Sequence, residues 1–214
     1  MKSPASFRVV KVAEADFPTR FGSFRIYGFE GRISAQDGRD VARAEEAAVL
    51  KMGDLDTSGA GAPLVRIHSQ CLTGDVFHSL RCDCRSQLEI ALEAIVEAGR
   101  GLLIYELQEG RGIGLLNKLR AYQLQDHGAD TVEANNRLGF EADLRDYRLP
   151  GEILRHFGLS TIRLLSNNPE KVQAVERAGI RVAERVPCVA AALDSTEAYL
   201  RTKKTKLGHL LEGV

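Results

Sequence analysis

Three cysteines that are close together in the sequence have the spacing of a metal-binding site. Cys71, Cys82 and Cys84 form a C-x10-C-x-C array, whereas the fourth cysteine, Cys188, is far from them along the chain. Thiolates are preferred ligands of Zn²⁺. Three protein ligands would leave the fourth tetrahedral position to a water molecule that can ionise near neutral pH, which is typical of a catalytic zinc site.

The sequence alone leaves two other interpretations of this array open. A structural zinc site normally has four protein ligands, and the fourth could come from His68, from His78 or from the more distant Cys188. Alternatively, the three cysteines are reduced side chains in the hydrophobic core. Disulfides are disfavoured, because clustered cysteines in a chain that is not exported more often bind metal or take part in catalysis.

The elements that must position the cysteines change in type along the chain. After about residue 86, strands and helices alternate, which indicates an α/β core. Because no linker or internal repeat divides the chain, we expect a single domain over residues 1–214. Before the array, the pattern predicts a hairpin-like strand signal at 21–30, short strands at 47–51 and 63–68, and a loop at 54–63.

The alternating part of the chain has clear helix starts and stops. Apolar residues recur at helical spacing up to Gly99, Gly128 closes a second helix, and Asn168 caps a third that has Pro169 at its first position. The predicted elements are helices over 88–99, 115–127, 169–179 and 196–211, strands over 101–107, 161–165 and 180–186, and a glycine-rich segment over 108–114.

The overall composition is that of a globular protein without net charge. The 214 residues include 29 Lys and Arg and 29 Asp and Glu, and 44% are hydrophobic, which excludes disordered, collagen-like and low-complexity classes. We expect no nucleic-acid or membrane partner. No apolar run approaches the roughly 18 residues that cross a bilayer and no signal-peptide region is present, so a cytoplasmic location is expected. A few local cations could still hold a small anion.

Four motifs, in this order, resemble those of one known enzyme family. They are VRIHSQCLTGDVFHSLRCDCR at 65–85, QEGRGIGLLN at 108–117, DTVEANNRLGFEADLRD at 130–146 and LLSNNP at 164–169. Over about residues 21–211 the chain is similar to GTP cyclohydrolase II, the zinc enzyme that opens the guanine ring of GTP at the entry to riboflavin synthesis. The resemblance implies an α/β (α+β) fold with a mixed sheet, flanking helices and a β-rich N-terminal part, and it implies a homodimer.

The resemblance implies two reactions on one substrate, GTP. Carbon 8 of the purine is attacked by water and lost as formate, and the bond between the α- and β-phosphates is broken to release pyrophosphate. The product would be 2,5-diamino-6-ribosylamino-4(3H)-pyrimidinone 5′-phosphate. The resemblance assigns one Zn²⁺ per chain to Cys71, Cys82 and Cys84. Mg²⁺ is expected to arrive with the nucleotide phosphates, whose charge it neutralises.

The resemblance also implies three catalytic residues. Tyr122 would orient the intermediate, although without the family it would be a half-buried side chain on a helix. Asp143 would accept a proton, and Arg145 is the family's proposed nucleophile toward the α-phosphorus. A guanidinium with a pKa above about 12 has no available lone pair, so the alternative is that Arg145 clamps phosphate oxygens.

The local sequence around this pair, EADLRD, has the charge pattern of a solvated surface loop. Residues two positions apart do not share a helix face, but they do share one side of an extended segment. A joint role for Asp143 and Arg145 therefore requires an extended or loop conformation.

The remaining implied site residues contact the nucleotide. Arg66, Arg111 and Lys171 suit the polyphosphate, and Glu109 could accept hydrogen bonds from the guanine N1–H and 2-amino groups. Gly110 belongs to the glycine-rich segment, whose backbone can approach a ligand closely. The full set of implied substrate contacts is Arg66, Ile67, His68, Ser69, Gln70, Gln87, Glu109, Gly110, Arg111, Thr131, Ser166 and Lys171.

Two positions depart from the family pattern. Gln70 replaces the usual Glu before the first cysteine, and Arg85, which could reach phosphate or only solvent, replaces the usual Gly after the last. Two alternatives to a complete GTP cyclohydrolase II remain, and the departures favour the first of them. One is a diverged enzyme that releases a formylated intermediate or serves another pathway, and the other is a zinc-stabilised nucleotide-binding protein without turnover. Tyr122 favours the complete reaction.

Overall fold

A single mixed β-sheet organises the part of the chain that the computed structural model describes, namely residues 6–34, 45–56, 61–190 and 194–211. Its strands are β1 (Ser6–Pro18), β2 (Ser23–Ser34), β3 (Glu45–Met52), β4 (Leu64–Ser69), β5 (Gly101–Glu106), β6 (Thr161–Leu165) and β7 (Arg181–Val186). Their order across the sheet is β1-β2-β3-β5-β4-β6-β7. The predicted α/β (α+β) class with a mixed sheet and a β-rich N-terminal part is confirmed.

The N-terminal half of the sheet is antiparallel. β1 and β2 form a hairpin whose turn is closed by hydrogen bonds between Thr19 and Gly22, and β3 joins β2 to β5. The strands predicted over 47–51 and 63–68 are confirmed as β3 and β4, and the alternating residues 21–30 fall mostly in β2. Of the predicted loop over 54–63, residues 57–60 lie outside the described part of the chain, and the rest is irregular.

The C-terminal half of the sheet is parallel and determines where a ligand can bind. β4 pairs in parallel with both β5 and β6, and β6 pairs in parallel with β7. The carboxyl ends of these strands therefore lie at one edge, where Ser69 is in register with Glu106 and Arg66 with Leu165. In α/β sheets, ligands bind in the crevice outside this edge. The loops that follow β4, β5 and β6 carry the motifs singled out in the sequence.

Helices cover both faces of the sheet, and they comprise α1 (Leu72–Asp75), α2 (Cys84–Glu97), α3 (Leu115–Asp126), α4 (Thr131–Arg137), α5 (Arg148–His156), α6 (Pro169–Arg177) and α7 (Asp194–Leu207). A 3₁₀ turn spans Glu109–Gly112. The predictions of α2, α3, α6 and α7 are confirmed in type. The predicted extension of α7 to residue 211 is wrong, because Gly208 adopts a left-handed conformation with φ 64° and ends the helix.

The helices that the sequence analysis missed are short or locally weak. α4 spans only seven residues and is stabilised by a capping box in which Asp130 and Glu133 each accept a hydrogen bond from the other's backbone N–H. α5 contains Pro150 and Gly151, which have low helix propensity, but its apolar side buries Ile153. Tertiary packing therefore supplies what the local sequence does not.

Two apolar clusters, one on each face, hold the sheet in place. On one face, Phe29 and Ile104 pack with Leu154 of α5. On the other, Leu103 packs with Ile95 of α2. β5 is consequently buried on both sides, as expected for the apolar run predicted over 101–107. Among the described residues, no helix is both long enough and apolar enough to cross a membrane.

Candidate active site

The three cysteines of the array meet at the carboxyl edge of the sheet. Cys71 lies two residues after the end of β4, Cys82 lies two residues before the start of α2, and Cys84 is the first residue of α2. Their sulfur atoms all lie within 4.8 Å of one another, and Cys71 Sγ is 3.7 Å from Cys82 Sγ. A tetrahedral zinc site with Zn–S bonds of about 2.3 Å has sulfur atoms about 3.8 Å apart. The three residues therefore fit a zinc ion.

The described residues offer no fourth protein ligand. No further His, Cys, Asp or Glu of the described ranges joins the three cysteines. His68 Nε2 is instead hydrogen-bonded to Asp75 Oδ1 at 3.1 Å, the exposed His78 stands apart from the cluster, and Cys188 Sγ donates to the backbone oxygen of Gln87 at 3.5 Å. A metal held here would keep one position open, which is the arrangement of a catalytic rather than a structural zinc site.

The cysteine loop, which we define as residues 71–84, is shaped by Asp75 and Gly74. The Asp75 carboxylate accepts hydrogen bonds from the Cys71 backbone N–H at 3.0 Å and from the Tyr105 hydroxyl at 2.7 Å. Gly74 is packed so tightly that a Cβ there would lie 2.8 Å from Cys82 Sγ and 3.1 Å from Cys71 Sγ. The loop thus depends on a glycine and a buried carboxylate to bring the sulfur atoms together.

Lys118 on α3 supplies a positive charge beside the sulfur cluster. Its Nζ lies 3.1 Å from Cys71 Sγ and 2.7 Å from Glu109 Oε1. Hydrogen bonds from Cys82 and Cys84 lower the pKa of the Cys71 thiol, and the Lys118 charge lowers it further, although burial opposes both. A thiolate is the form that binds metal. Lys118 was not among the predicted site residues, although its position four residues before Tyr122 places both on one helix face.

Tyr122 lies close to the cysteines, as the family resemblance implied. Its hydroxyl is 3.1 Å from Thr73 Oγ1, which in turn is 3.6 Å from Cys71 Sγ. The Arg81 guanidinium lies 4.9 Å from the centre of the tyrosine ring. Burial raises the pKa of Tyr122, so the phenol keeps its proton at neutral pH and can donate a hydrogen bond.

An open cleft of about 1100 Å³, including the solvent at its mouth, connects these residues to most of the implied nucleotide contacts. Ile67 does not line it, because its side chain is in the core and only its backbone oxygen accepts a hydrogen bond, from Lys171 Nζ at 2.8 Å. Asp143 does not line it either, but it holds Arg145, which does. The implied residues that line the cleft are Arg66, His68, Ser69, Gln70, Cys71, Cys82, Cys84, Gln87, Glu109, Gly110, Arg111, Tyr122, Thr131, Arg145, Ser166 and Lys171.

Asp143 and Arg145 form a partly buried pair in the irregular segment between α4 and α5. Arg145 Nε donates to Asp143 Oδ1 at 2.8 Å, and a second guanidinium nitrogen bonds to Asp143 Oδ2. The Arg145 side chain is only 12% exposed and the Asp143 side chain 15%. The segment is therefore not the solvated loop that its charge pattern indicated. Burial opposes the charge on Arg145, but Asp143 outweighs it and raises the pKa of the guanidinium.

Arg145 is part of a buried polar cluster at the edge of the sheet. Its NH1 donates to Ser69 Oγ at 3.2 Å, and Lys171 Nζ donates to the same oxygen at 3.2 Å. Ser69 Oγ in turn donates to the buried Glu106 carboxylate at 3.1 Å. The pKa of Lys171 is lowered to about 7, mainly by burial, which the Glu106 charge opposes and the charges of Arg145 and Arg66 reinforce. An anionic ligand would relieve the repulsion among these cations.

Glu109 links the glycine-rich turn to the cysteine loop. Its Oε2 accepts from the Leu72 backbone N–H at 2.7 Å, and its Oε1 accepts from the Gly110 N–H at 2.9 Å and from Lys118. Gly110 and Arg111 have φ values of 63° and 59°, and a positive φ is uncommon for a residue such as Arg111. One guanidinium nitrogen of Arg111 is buried without a hydrogen-bond partner among the described residues.

The remaining predicted residues have mixed surroundings. Gln87 accepts a hydrogen bond from Arg66 at 2.7 Å, and Ser166 Oγ accepts one from the Asn168 backbone N–H at 3.1 Å. Thr131 is the first residue of α4. Arg85 does not line the cleft: it binds Glu89 and the backbone oxygen of Asp75, so its charge is used within the protein.

The C-terminal part of the chain contributes cleft residues that the sequence analysis did not identify. Lys203 on α7 and His209, just beyond its end, both line the cleft. Lys203 Nζ donates to Asp83 Oδ1 at 2.6 Å, so α7 is joined to the cysteine loop between two of its cysteines. The available sequence signal was limited to Gly208, which marks the turn that places His209.

Comparison with known proteins identifies close relatives. A family model described as GTP cyclohydrolase II matches residues 10–187. A protein named GTP cyclohydrolase-2 from Azotobacter vinelandii is 54% identical over 204 residues, which cover 95% of this chain and 92% of that protein. One of the same name from Cronobacter sakazakii is 51% identical over 203 residues, with 95% and 98% covered. A solved two-domain 3,4-dihydroxy-2-butanone 4-phosphate synthase from A. baumannii is 16% identical with a TM-score of 0.45, covering 85% of this chain and 40% of that one.

Proposed function

Since the chain belongs to the GTP cyclohydrolase II family, we propose that it hydrolyses GTP to formate, pyrophosphate and 2,5-diamino-6-ribosylamino-4(3H)-pyrimidinone 5′-phosphate. The observation that carries this proposal is the meeting of three cysteine sulfur atoms, without a fourth protein ligand among the described residues, in a cleft lined by cations. A metal at this site would account for the opening of the guanine ring, and the cations would account for the binding of the triphosphate.

The metal in this proposal is one Zn²⁺ per chain, held by Cys71, Cys82 and Cys84. When bound, it would activate water for attack at carbon 8 and polarise the reacting carbon–oxygen group. Lys118 stabilises the thiolate form of Cys71 from 3.1 Å. Tyr122 donates its phenolic proton as a hydrogen bond beside the reacting carbon, and Thr73 fixes its orientation.

The triphosphate lies against the cations at the edge of the sheet. Arg145 holds oxygens of the α-phosphate and strengthens that contact as negative charge builds up during cleavage. It does not act as a nucleophile, because the Asp143 carboxylate keeps its guanidinium charged. Asp143 orients Arg145 by bonding two of its nitrogens. Mg²⁺ arrives with the nucleotide and neutralises the phosphates that leave as pyrophosphate.

The guanine base lies in the cleft next to Glu109 and the cysteine loop, which are themselves joined by a hydrogen bond. A carboxylate has about four lone-pair positions, and three donors of the protein already occupy the Glu109 oxygens. The remaining position accepts one N–H of the base, which adenine does not present at the same place. Gln70 adds an amide that both accepts and donates hydrogen bonds.

We also propose that the enzyme works as a cytoplasmic homodimer with no nucleic-acid or membrane partner. The support for a dimer is the apolar surface of the cysteine loop, where Val76 is 56%, Phe77 70% and Leu80 63% exposed. Exposed apolar side chains this close together favour burial against a partner. Light scattering of the wild-type chain and of Phe77→Ser tests the assembly: we expect a dimer that Phe77→Ser weakens, and a monomeric wild type would contradict it.

The test of the proposed function is product identification. The metal-loaded chain is incubated with GTP, Zn²⁺ and Mg²⁺, and every product is identified by mass spectrometry. We expect formate, pyrophosphate and the pyrimidinone in equal amounts, and no conversion of ATP. Accumulation of an N-formyl product would favour the diverged enzyme. Unchanged GTP with a stably bound zinc would favour the nucleotide-binding protein without turnover.

A further inference from the structure

The C-terminal segment, which we define as residues 201–211, lines the cleft although it lies beyond the part of the chain that the family model matches. We propose that His209 binds the phosphate chain of GTP and that Lys203 positions it by fixing the C-terminal segment to the cysteine loop. The identity of the nucleotide in this proposal rests on the proposed function. The contacts of the segment with the rest of the protein do not depend on the proposed function.

Lys203 anchors the segment through a buried ion pair. Its side chain is 10% exposed and that of Asp83 is 5% exposed, and the two atoms of the contact are 2.6 Å apart. Asp83 Oδ2 accepts a second hydrogen bond from Gln87 at 2.5 Å, and Gln87 in turn accepts one from Arg66. Removal of one partner would leave the other charge buried without its counter-ion, which is strongly destabilising, so the two elements stay in contact in the folded protein. A chain of hydrogen bonds therefore connects Lys203 of α7, through Asp83 and Gln87, to Arg66 in the cleft.

Further contacts hold the segment to two other walls of the cleft. Lys206 forms ion pairs with Asp130 and Glu133 at the start of α4, the helix that carries Thr131. The Leu210 backbone N–H donates to the backbone oxygen of Asn167, in the loop after β6, at 2.9 Å. The segment thus joins the cysteine loop, α4 and the β6–α6 loop.

The end of α7 places His209 among the three parts of the cleft wall that the segment joins. Gly208 adopts a left-handed conformation, and the His209 backbone N–H donates back to the backbone oxygen of Lys203 at 3.0 Å. The imidazole is partly exposed, lines the cleft and has no side-chain hydrogen bond to any of the described residues. The His209 side chain is therefore available to hydrogen-bond a ligand in the cleft.

The charges around His209 indicate what that ligand is. Its pKa is lowered to about 3, mainly by burial and in addition by the positive charges of Lys203, Arg145, Arg111 and Lys171, all of which line the same cleft. The imidazole is therefore neutral and offers one N–H donor. A cluster of cations attracts a polyanion rather than a purine ring. A bound phosphate oxygen would accept the imidazole N–H and would also relieve the repulsion that disfavours its protonation.

The first test replaces the imidazole and measures phosphate binding. His209→Leu removes the donor, His209→Gln keeps an amide N–H, and His127→Leu is the matched control, because His127 is exposed at the end of α3 and bonds within its own helix. For His209→Leu we expect the KM for GTP and the inhibition constant of pyrophosphate each to rise about tenfold, the loss expected for one hydrogen bond to a charged group. His209→Gln should recover part of this loss, and His127→Leu should match the wild type.

Guanosine distinguishes this role from a structural one. It has the base and ribose but no phosphate, so its inhibition constant should be the same for the wild type and for His209→Leu. Equal weakening of guanosine and pyrophosphate would show that the substitution deforms the whole cleft and would overturn the proposal. An unchanged inhibition constant of pyrophosphate would overturn it as well.

A double-mutant cycle tests the positioning role of Lys203. If Lys203 acts through His209, Lys203→Met should weaken pyrophosphate binding in the wild type but cost little more in the His209→Leu background. Additive losses would contradict that role. If the wild type leaves GTP unchanged, the proposed function fails, but the pyrophosphate measurements on the zinc-loaded chain still decide the role of His209.

Discussion

The Arg145 guanidinium bonds through Nε and NH2 to the carboxylate of Asp143, with Nε 2.8 Å from Oδ1 and 3.1 Å from Oδ2 and with NH2 on Oδ2. A third nitrogen, NH1, donates to Ser69 Oγ at the end of β4. Two planar groups that meet in this way fix each other's orientation. The arginine is therefore held as a charged, oriented donor, which suits a phosphate clamp and not a nucleophile.

Substitution of Arg145 tests this interpretation. Arg145→Lys keeps the charge but loses the planar fork, and Arg145→Ala loses both. We expect pyrophosphate release to fall by about 10²- to 10³-fold in Arg145→Lys, the usual effect of removing one oriented donor from a transition state, and to be abolished in Arg145→Ala. Wild-type pyrophosphate release by Arg145→Ala would show that the phosphate site is elsewhere.

Cys82→Ser tests the metal site separately from the fold. None of the three cysteines belongs to either of the apolar clusters that pack on the sheet. We therefore expect zinc content to fall from one per chain toward zero and formate release to stop, while the free energy of unfolding changes by less than about 2 kcal/mol, the usual range of a single substitution. Metal analysis and thermal unfolding check this. Global unfolding of Cys82→Ser would instead indicate a structural zinc.

Gly74 provides a second test of the same site that leaves all three ligands in place. A Cβ at this position would lie 2.8 Å from Cys82 Sγ, whereas a Cβ at Gly28 on β2 would meet no atom within 4 Å. We expect Gly74→Ala to weaken zinc affinity by about 10- to 100-fold, as other changes next to metal ligands do, and Gly28→Ala to leave it unchanged. Competition with a zinc chelator measures both. Equal zinc affinities in the two variants would show that the close contact between position 74 and the cysteine sulfur atoms does not affect metal binding.

The pH dependence of substrate binding reports on Lys171. Its folded-state pKa is lowered to about 7, below the usual value of about 10.4, so the ammonium is present below pH 7 and is lost as the pH rises. We expect the KM for GTP to rise between pH 6 and pH 8.5 in the wild type, because phosphate loses a cation. Lys171→Met should have a higher KM for GTP than the wild type at pH 6 and a smaller increase of KM with pH. Parallel KM profiles of the two proteins would exclude Lys171 as the titrating phosphate contact.

Most of the sheet could be predicted from the sequence, because strands such as Thr161–Leu165 are short apolar runs between clear turn signals. α5 could not be predicted, since Pro150 and Gly151 lower its propensity and only the packing of residues such as Ile153 makes it helical. The end of α7 at Leu207 follows from Gly208, a signal that the apolar spacing of the next residues obscured.

The candidate site was accessible from the sequence only through its motifs. The spacing of the cysteines indicated a metal, but it did not decide whether His68 completes the site. That depends on Asp75, which binds the imidazole through tertiary packing. Likewise, nothing in the local sequence shows that Lys203 meets Asp83, because 120 positions separate them. Contacts of this range arise from the fold and not from spacing.

The central claim is that three thiolates hold a zinc ion whose fourth position is open to water. X-ray absorption at the zinc edge of the metal-loaded chain measures this directly. Three sulfur atoms at about 2.3 Å and one oxygen at about 2.0–2.2 Å are expected, with the oxygen environment altered when GTP is added. Four sulfur atoms, or three sulfur atoms with the outer-shell carbons of a histidine ring, would contradict the claim.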